Sequence, residues 1–365
     1  MDSVLIAMSG GVDSSVAAWK MKQTGAECRG ATMNLFDRGQ TVCPSQPCSP
    51  PETAGNAAAD AMAVAQKLGI PFHVFHFQEE FKRHVIERFV QTYLEGKTPN
   101  PCVYCNRFLK FGQLFVRAKE LGADVMATGH YARIEHDAAS NRFLLKKAAD
   151  ETKDQSYVLY TMTQEQLSRT RFPLGMLRKS EVRQIAAECG FANAGKQESQ
   201  DLCFVPGGDY AGFIEQYTNR QSPPGNFVNK AGKVLGQHKG LIRYTVGQRK
   251  GLGIAAPAPY YVCGHNVTEN TVILGSEEDL CVKTLTAADI NLIPFAAITG
   301  TLRVMAKVRY RQKGDRATVI QTGANELRVE FDEPQKGVAE GQAVVLYDGD
   351  CVIGGGTIVS VSANQ

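Results

Sequence analysis

The sequence predicts an α/β protein in which a parallel-sheet domain is followed by a small β-rich central domain and a C-terminal β-barrel. Three observations predict it. From residue 1 to about 204, apolar strand-like runs alternate with helical patterns, as a parallel sheet covered on both faces requires. From about 206 to 285 the helical period is lost and hairpin punctuation replaces it; from 286 onward short strands recur at near-regular spacing. The expected divisions are 1–205, 206–285 and 286–365, and 365 residues are enough for two or three domains.

The first apolar run, Val4-Leu5-Ile6, leads into Ala7-Met8-Ser9-Gly10-Gly11-Val12-Asp13-Ser14-Ser15 and then a helical pattern through Val16, Ala17, Ala18 and Trp19. Adjacent glycines let the backbone approach an anion closely, and the new helix offers unpaired N–H groups at the positive end of its dipole, so phosphate is the natural ligand. The loop has no Gly-Lys-Ser/Thr and therefore no lysine to reach outer phosphates. The hydroxyls of Ser9, Ser14 and Ser15 and the backbone must do the holding, and Asp13 suits either Mg²⁺ held through water or the helix cap. A capped glycine turn is the bland alternative. The stretch resembles the PP-loop of the ATP pyrophosphatases, which split ATP into AMP and pyrophosphate and adenylate an oxygen.

Strands are expected at Val4–Ala7, Glu27–Asn34, Phe72–Phe77 and Asp124–Thr128, with helices at Asn56–Leu68 and Glu79–Glu95. Ligands of such sheets bind beyond the carboxyl ends of the strands, where the glycine loop, Met33 and Gly129 would converge on adenosine. The segment Asp37–Thr53 reads as a surface loop in which Cys43 and Cys48 are the alternative, a pair of metal ligands. Next, Thr98-Pro99-Asn100-Pro101 precedes Cys102-Val103-Tyr104-Cys105-Asn106 and a helical run from Phe108 to Leu121. Pro101 suits a helix start, and thiols in a first turn are expected to fall from a pKa of about 8.5 toward neutrality. No second Cys-x-x-Cys exists to complete a four-cysteine zinc site.

Gly129 permits close approach of a base or ribose, and His130 is either a ligand-facing residue at a strand end or a satisfied core histidine. Lys153-Asp154-Gln155-Ser156-Tyr157 opens a helix and is read as substrate contact rather than a solvated cap. The helix Ser180–Glu188, capped by Ser180, is scaffold. Cys203 stands in a polar approach to Phe204-Val205.

In the β regions, turns are expected at Asn229–Gly232 and Asn266–Asn270, and Arg243, Arg249 and Lys250 flank a Gly247–Gly253 loop able to follow a phosphate backbone. A long strand would put Leu302, Val304, Ala306, Val308 and Tyr310 on one face and Arg303, Lys307, Arg309 and Arg311 on the other, a cationic row suited to RNA.

A net charge of +3 excludes a polybasic binder, so any nucleic-acid surface must be local. The absence of a basic leader and of a long apolar stretch points to a cytoplasmic protein with no membrane partner. Ten cysteines in that setting imply reduced thiols, metal ligation or catalysis; Cys28, Cys189, Cys263, Cys281 and Cys351 sit singly in apolar surroundings, as small buried hydrophobes do.

Several motifs in order carry a more specific resemblance. Ser9-Gly10-Gly11-Val12-Asp13-Ser14, the Thr98-to-Asn106 stretch, Ala127-Thr128-Gly129-His130-Tyr131, Lys153-Asp154-Gln155-Ser156-Tyr157, Cys203-Phe204 and Gly247-Gln248-Arg249-Lys250-Gly251-Leu252-Gly253 together look like the bacterial tRNA-uridine 2-sulfurtransferases, from end to end. The resemblance implies ATP and Mg²⁺, with the nucleotide on Ala7, Met8, Ser9, Gly10, Gly11, Val12, Asp13, Ser14, Met33 and Gly129. It implies Cys105 as nucleophile, Cys203 as the persulfide carrier, Asp13 in catalysis, and disulfide chemistry. It implies tRNA contact by His130, Lys153, Asp154, Gln155, Arg249, Lys250, Arg309, Tyr310, Arg311 and Gln342. The partners would be a tRNA with a modifiable wobble uridine and a sulfur donor, either a relay protein or a cysteine desulfurase. The family commonly has Asp where this chain has Cys102. That departure brings three thiols, Cys102, Cys105 and Cys203, into play, enough to hold a 4Fe–4S cluster with one iron open, as an alternative to the persulfide route. A PP-loop ligase or amidotransferase acting on a small metabolite is the competing function, and a non-enzymatic RNA-binding or iron–sulfur carrier protein is a third.

Overall fold

β1 (Ser3–Ala7) is buried on both faces because its apolar residues alternate between two cores. Leu5 packs with Phe77, Phe81 and Phe89 on one side, and Val4 and Ile6 with Val16, Ala17 and Ala61 on the other. In the computed structural model of the chain, which describes residues 2–36, 57–196 and 202–363, this strand is the centre of a five-stranded parallel sheet. The chain continues through α1 (Val12–Gln23), β2 (Glu27–Asn34), α2 (Ala57–Leu68), β3 (Phe72–His76), α3 (Gln78–Phe81), a π-helical turn at Lys82–Ile86 and α4 (Glu87–Leu94). After α5 (Pro101–Tyr104), a π-helix at Cys105–Gln113 and α6 (Leu114–Glu120) come β4 (Val125–Thr128), the hairpin β5 (Arg133–Asp137) and β6 (Arg142–Lys146), α7 (Gln164–Ser168), β7 (Thr170–Arg171) and α8 (Lys179–Glu188). The strand order is β3-β2-β1-β4-β7 with every neighbour parallel. Since β2 and β3 lie to one side of β1 and β4 to the other, a crevice opens past the ends of β1 and β4.

Three local expectations change. The helix expected from Phe108 begins at Pro101, with Asn100 as its cap and a nine-residue π segment inside it. Gly112 makes room for that segment, since a Cβ there would stand 3.0 Å from the Arg107 carbonyl oxygen. The scaffold helix α8 starts one residue before Ser180, and its first turn is tied by the Glu181 carboxylate accepting from the Arg178 N–H at 2.6 Å, so Ser180 is not its cap. Lys153–Tyr157 opens a 3₁₀ turn, Ser156–Leu159, in which Asp154 accepts from the Ala148 and Ser156 N–H groups.

Beyond α9 (Tyr210–Thr218), β8 (Gly225–Asn229), β9 (Val234–His238), β10 (Tyr261–Asn266) and β11 (Thr271–Gly275) form a second sheet in the order β10-β11-β8-β9 around Phe227, Val262, Val272 and Leu274. The third sheet holds β12 (Cys281–Leu292), β13 (Thr301–Lys307), β14 (Asp315–Gly323), β15 (Glu326–Lys336), β16 (Ala343–Asp348) and β17 (Cys351–Ala363), closed by pairing of β12 with β17. The hairpin β5–β6 joins this sheet where Cys351 pairs with Lys146. The barrel therefore takes two strands from the segment that the sequence assigns to the nucleotide domain.

The cationic row expected along residues 302–311 forms in part: within β13, Arg303 and Lys307 share the face opposite the buried Val304 and Ala306. β13 stops at Lys307, and the Gln312 N–H turns back to the Arg309 carbonyl at 3.2 Å, which ends the alternation. Arg303 forks onto Asp332, Lys307 lies over the Tyr157 and Tyr347 rings, and Arg309 donates to the Lys336 carbonyl at 2.7 Å. The Arg303–Asp332 pair lies on the exposed surface of the barrel.

Polar bonds ranging from buried to exposed fix the barrel on the parallel-sheet domain. The Tyr157 hydroxyl donates to the Ala343 carbonyl at 2.8 Å, Asn291 donates to the Tyr160 and Met162 carbonyls at 2.7 and 3.0 Å, and Arg107 forks onto Asp289. Among the described residues no helix is long and apolar enough to cross a membrane. Replacing Tyr157 by Phe leaves the Ala343 carbonyl without its buried donor and is expected to lower the unfolding free energy by about 1–3 kcal/mol, read as a lower urea midpoint at unchanged slope.

Candidate active site

The glycine loop turns from β1 into α1 with Gly10 at φ +76°, where a Cβ would meet the Ala57 carbonyl oxygen at 2.3 Å. The Ser9 N–H donates to Ser14 Oγ at 3.1 Å, and Ser14 Oγ donates in turn to the Gly11 carbonyl at 3.0 Å. Ser15 turns inward: its hydroxyl also donates to Gly11, and it accepts from Asn193 Nδ2 at 2.9 Å. The same Asn193 amide holds the Gly10 carbonyl at 2.9 Å, so the loop is braced from below by a residue that no sequence motif flagged. Ser15 is thus a structural hydroxyl rather than a phosphate contact.

Asp13 does not cap α1, whose N-cap is Gly11. Its Oδ1 accepts from Lys179 Nζ at 2.6 Å and from the Tyr131 hydroxyl at 2.7 Å. The lysine missing from the loop itself is therefore supplied at the loop by the start of α8, about 170 residues downstream, a spacing no local motif reveals. Gly129 ends β4 directly against this helix start, where a Cβ would stand 2.8 Å from the Asp13 carbonyl carbon and the Ser14 nitrogen. The close approach that Gly129 permits is that of α1.

A cavity of about 680 Å³ opens past the ends of these strands. Ala7, Met8, Ser9, Asp13, Ser14, Met33, Gly129, His130 and Gln155 line it, together with Cys102, Cys105 and Cys203. Burial pushes the Cys203 thiol up to about 12, with Cys105 and Cys102 adding to the rise and Lys110 opposing it. Burial raises Cys102 and Cys105 as well, again against Lys110. Cys102 and Cys203 reach solvent at the cavity wall, but protein encloses them on the other sides. The near-neutral thiols expected from the helix dipole are not found: Cys102 and Cys105 do stand in the first turns of a continuous helix, but desolvation by burial outweighs the dipole.

Lys110, another residue the sequence did not flag, stands on the same wall with Nζ 3.3 Å from His130 Nε2. An ammonium only donates, so Nε2 accepts and the ring carries its proton on Nδ1, 2.7 Å from Thr128 Oγ1. Burial followed by the Lys110 charge holds the His130 pKa well below its ordinary value, and the imidazole is neutral. His130 is at once a satisfied buried histidine and part of the cavity wall.

The remaining expected residues lie elsewhere. Gly10, Gly11 and Val12 shape the loop without lining the cavity; Arg249 and Lys250 are exposed on the Gly247–Gly253 loop; Tyr310 is 39% exposed with its ring 6.0 Å from that of Tyr157. Gln342 donates to the Thr98 and Pro99 carbonyls at 3.2 and 2.8 Å, which joins the barrel to the Pro-framed segment before Cys102. Lys153, Asp154, Arg309 and Arg311 are not among the lining residues. All eight described cysteines are free thiols; Cys28 is buried, while Cys189, Cys263, Cys281 and Cys351 are half-buried. Cys43 and Cys48 lie outside the described residues. Among the described residues no three His, Cys, Asp or Glu side chains are grouped to hold a metal ion.

A nucleotide-type loop on a parallel sheet, with thiols in the same cavity and two β domains behind it, defines a group-transfer enzyme class. The sequence model of the tRNA methyl transferase HUP domain matches residues 2–207, that of the tRNA methyl transferase PRC-barrel domain residues 211–276, and that of the aminomethyltransferase beta-barrel domain residues 282–358. The tRNA-specific 2-thiouridylase MnmA of Clostridioides difficile (strain 630) is 46% identical over 97% of both chains. That of Moorella thermoacetica is 47% identical over 98% of this chain and 99% of its own. The chain belongs to the tRNA-specific 2-thiouridylase family. A solved 4-thiouridine synthetase in complex with RNA and ATP overlaps 60% of the chain and 50% of its own at 18% identity and a TM-score of 0.32.

Two measurements follow from the geometry. Asn193→Ala removes the donor shared by the Gly10 carbonyl and Ser15, and is expected to cost about 1–3 kcal/mol of stability in urea denaturation. Because the raised pKa of Cys203 leaves little thiolate at pH 8, its alkylation by iodoacetamide should run at least about tenfold slower than that of free cysteine, and should keep accelerating above pH 10 where free cysteine levels off.

Proposed function

We propose that the chain is an ATP-dependent tRNA-uridine 2-sulfurtransferase that replaces the C2 oxygen of a wobble uridine with sulfur in the cytoplasm. The observation that carries this reading is the meeting, in one cavity, of the glycine loop with Cys105 and Cys203. Family membership over the full length supports it against a small-metabolite ligase.

The C2 oxygen is a poor leaving group and must be activated. Its attack on the α-phosphorus of ATP forms an O–P bond and breaks the α–β anhydride, releasing pyrophosphate; the N-terminus of α1 and the Ser9 hydroxyl face the charge that develops. Ser9, Asp13 and Ser14 offer the hard oxygen donors that suit Mg²⁺, which when bound offsets triphosphate charge. Sulfur arrives from a donor protein as a persulfide on Cys203. The terminal sulfur attacks C2, forming C–S while the C2–O bond to AMP breaks. The Cys105 thiolate, its proton lost to solvent, attacks Cys203 Sγ and breaks the persulfide S–S bond, whose electron pair stays on the departing thiocarbonyl sulfur. A Cys105–Cys203 disulfide remains, and a dithiol reductant returns it to two thiols. The base must leave the anticodon stack, a cost of a few kcal/mol that backbone contacts from Arg249 and Lys250 and a surface ring at Tyr310 would offset.

A second reading keeps Cys102, Cys105 and Cys203 as ligands of a 4Fe–4S cluster. Their shared cavity favours it, whereas the lack of a grouped ligand set among the described residues does not fit it, so the reaction above runs through thiols alone.

Mass spectrometry of tRNA nucleosides tests the main reading. Cys105→Ser and Cys203→Ser are each expected to abolish 2-thiouridine while leaving tRNA affinity within about twofold; full thiolation by either variant removes that cysteine from the reaction. About four irons per anaerobically purified chain, lost in Cys102→Ala, would replace the thiol route by the cluster.

A further inference from the structure

The sulfur step creates anions: a persulfide on Cys203, then a thiolate on Cys105. Resting on the sulfurtransferase reading, we propose that Lys110 is the positioning residue of that step, its ammonium holding the sulfur anion between Cys203 and Cys105. Among the described residues that line the cavity, Lys110 is the one lysine or arginine, and it lies within electrostatic reach of all three cavity thiols. The cavity's one described carboxylate, Asp13, is already held by Lys179. Lys110 has a neutral partner instead, His130, whose Nε2 takes one of its three protons. Among the described residues no carboxylate pairs with it, so two of its donors and its charge face the cavity, where a fixed cation can hold a forming anion.

The backbone supports the same assignment. Cys105 and Lys110 are five residues apart, a spacing that an ordinary α-helix turns to different sides. The segment Cys105–Gln113 is π-helical, and the Leu114 N–H reaches back five residues to Leu109, so positions five apart stack along one wall. His130 fixes the ammonium from the other side because its Nδ1 proton goes to Thr128.

Nucleotide chemistry and sulfur chemistry share the cavity, so the test separates them. Wild type, Lys110→Met and Lys110→Arg are given tRNA transcript, ATP, Mg²⁺ and a cysteine desulfurase with radiolabelled cysteine. Three signals are followed in a single turnover: label on Cys203, pyrophosphate released and 2-thiouridine formed. Lys110→Met should load Cys203 and release pyrophosphate within about twofold of wild type, yet form 2-thiouridine about 100-fold more slowly. Lys110→Arg, which keeps the charge, should recover at least about tenfold of that loss. Wild-type thiolation by Lys110→Met overturns the proposal. So does an equal fall in pyrophosphate release, which would make Lys110 a nucleotide or folding residue. A wild-type chain that binds tRNA and ATP but forms no 2-thiouridine overturns instead the sulfurtransferase reading beneath it.

Discussion

The cavity is referred to a single backbone contact, Gly129 at the end of β4 against Asp13 and Ser14 at the start of α1. With a Cβ at Gly129 the two would be forced apart. Their contact sets how far the N–H end of α1 projects past the sheet, and with it the distance between the glycine loop and the wall that carries the thiols. Asn193 beneath the loop and Tyr131 and Lys179 on Asp13 hold the same junction from three further directions. A half-buried ion pair such as Asp13–Lys179 adds little net stability once desolvation is counted, but it gives the loop one geometry.

The thiol wall follows a different rule. Three neutral thiols, a neutral imidazole and one ammonium share a partly solvent-exposed wall. A charge formed on any one of these sulfurs would face a single ammonium, that of Lys110.

Much of the fold was legible in the sequence because it rests on periodicity. The strands at 3–7, 27–34, 72–76 and 125–128 were expected within a residue, since apolar residues facing two cores leave an unmistakable run. The loop and the thiols were legible as local strings. Lys179, Asn193 and Lys110 were not: the first two reach the site across long stretches of chain, and the third is brought round by a π-helix that violates the period on which helix reading depends. The cationic row was drawn too long for the opposite reason, a period that holds within β13 but was extended past Lys307, where the strand ends.

The hairpin β5–β6 gives the molecule an architectural property. Its strands leave the nucleotide domain between β4 and α7 and return after extending a sheet whose other strands lie 135 or more residues later in the chain. The two halves are dovetailed rather than joined end to end. A cut in the chain before β12 would not liberate two finished modules: the hairpin would lose the barrel strand that it meets at Cys351. A change of barrel shape at Cys351 would therefore be felt in the parallel-sheet domain through Lys146.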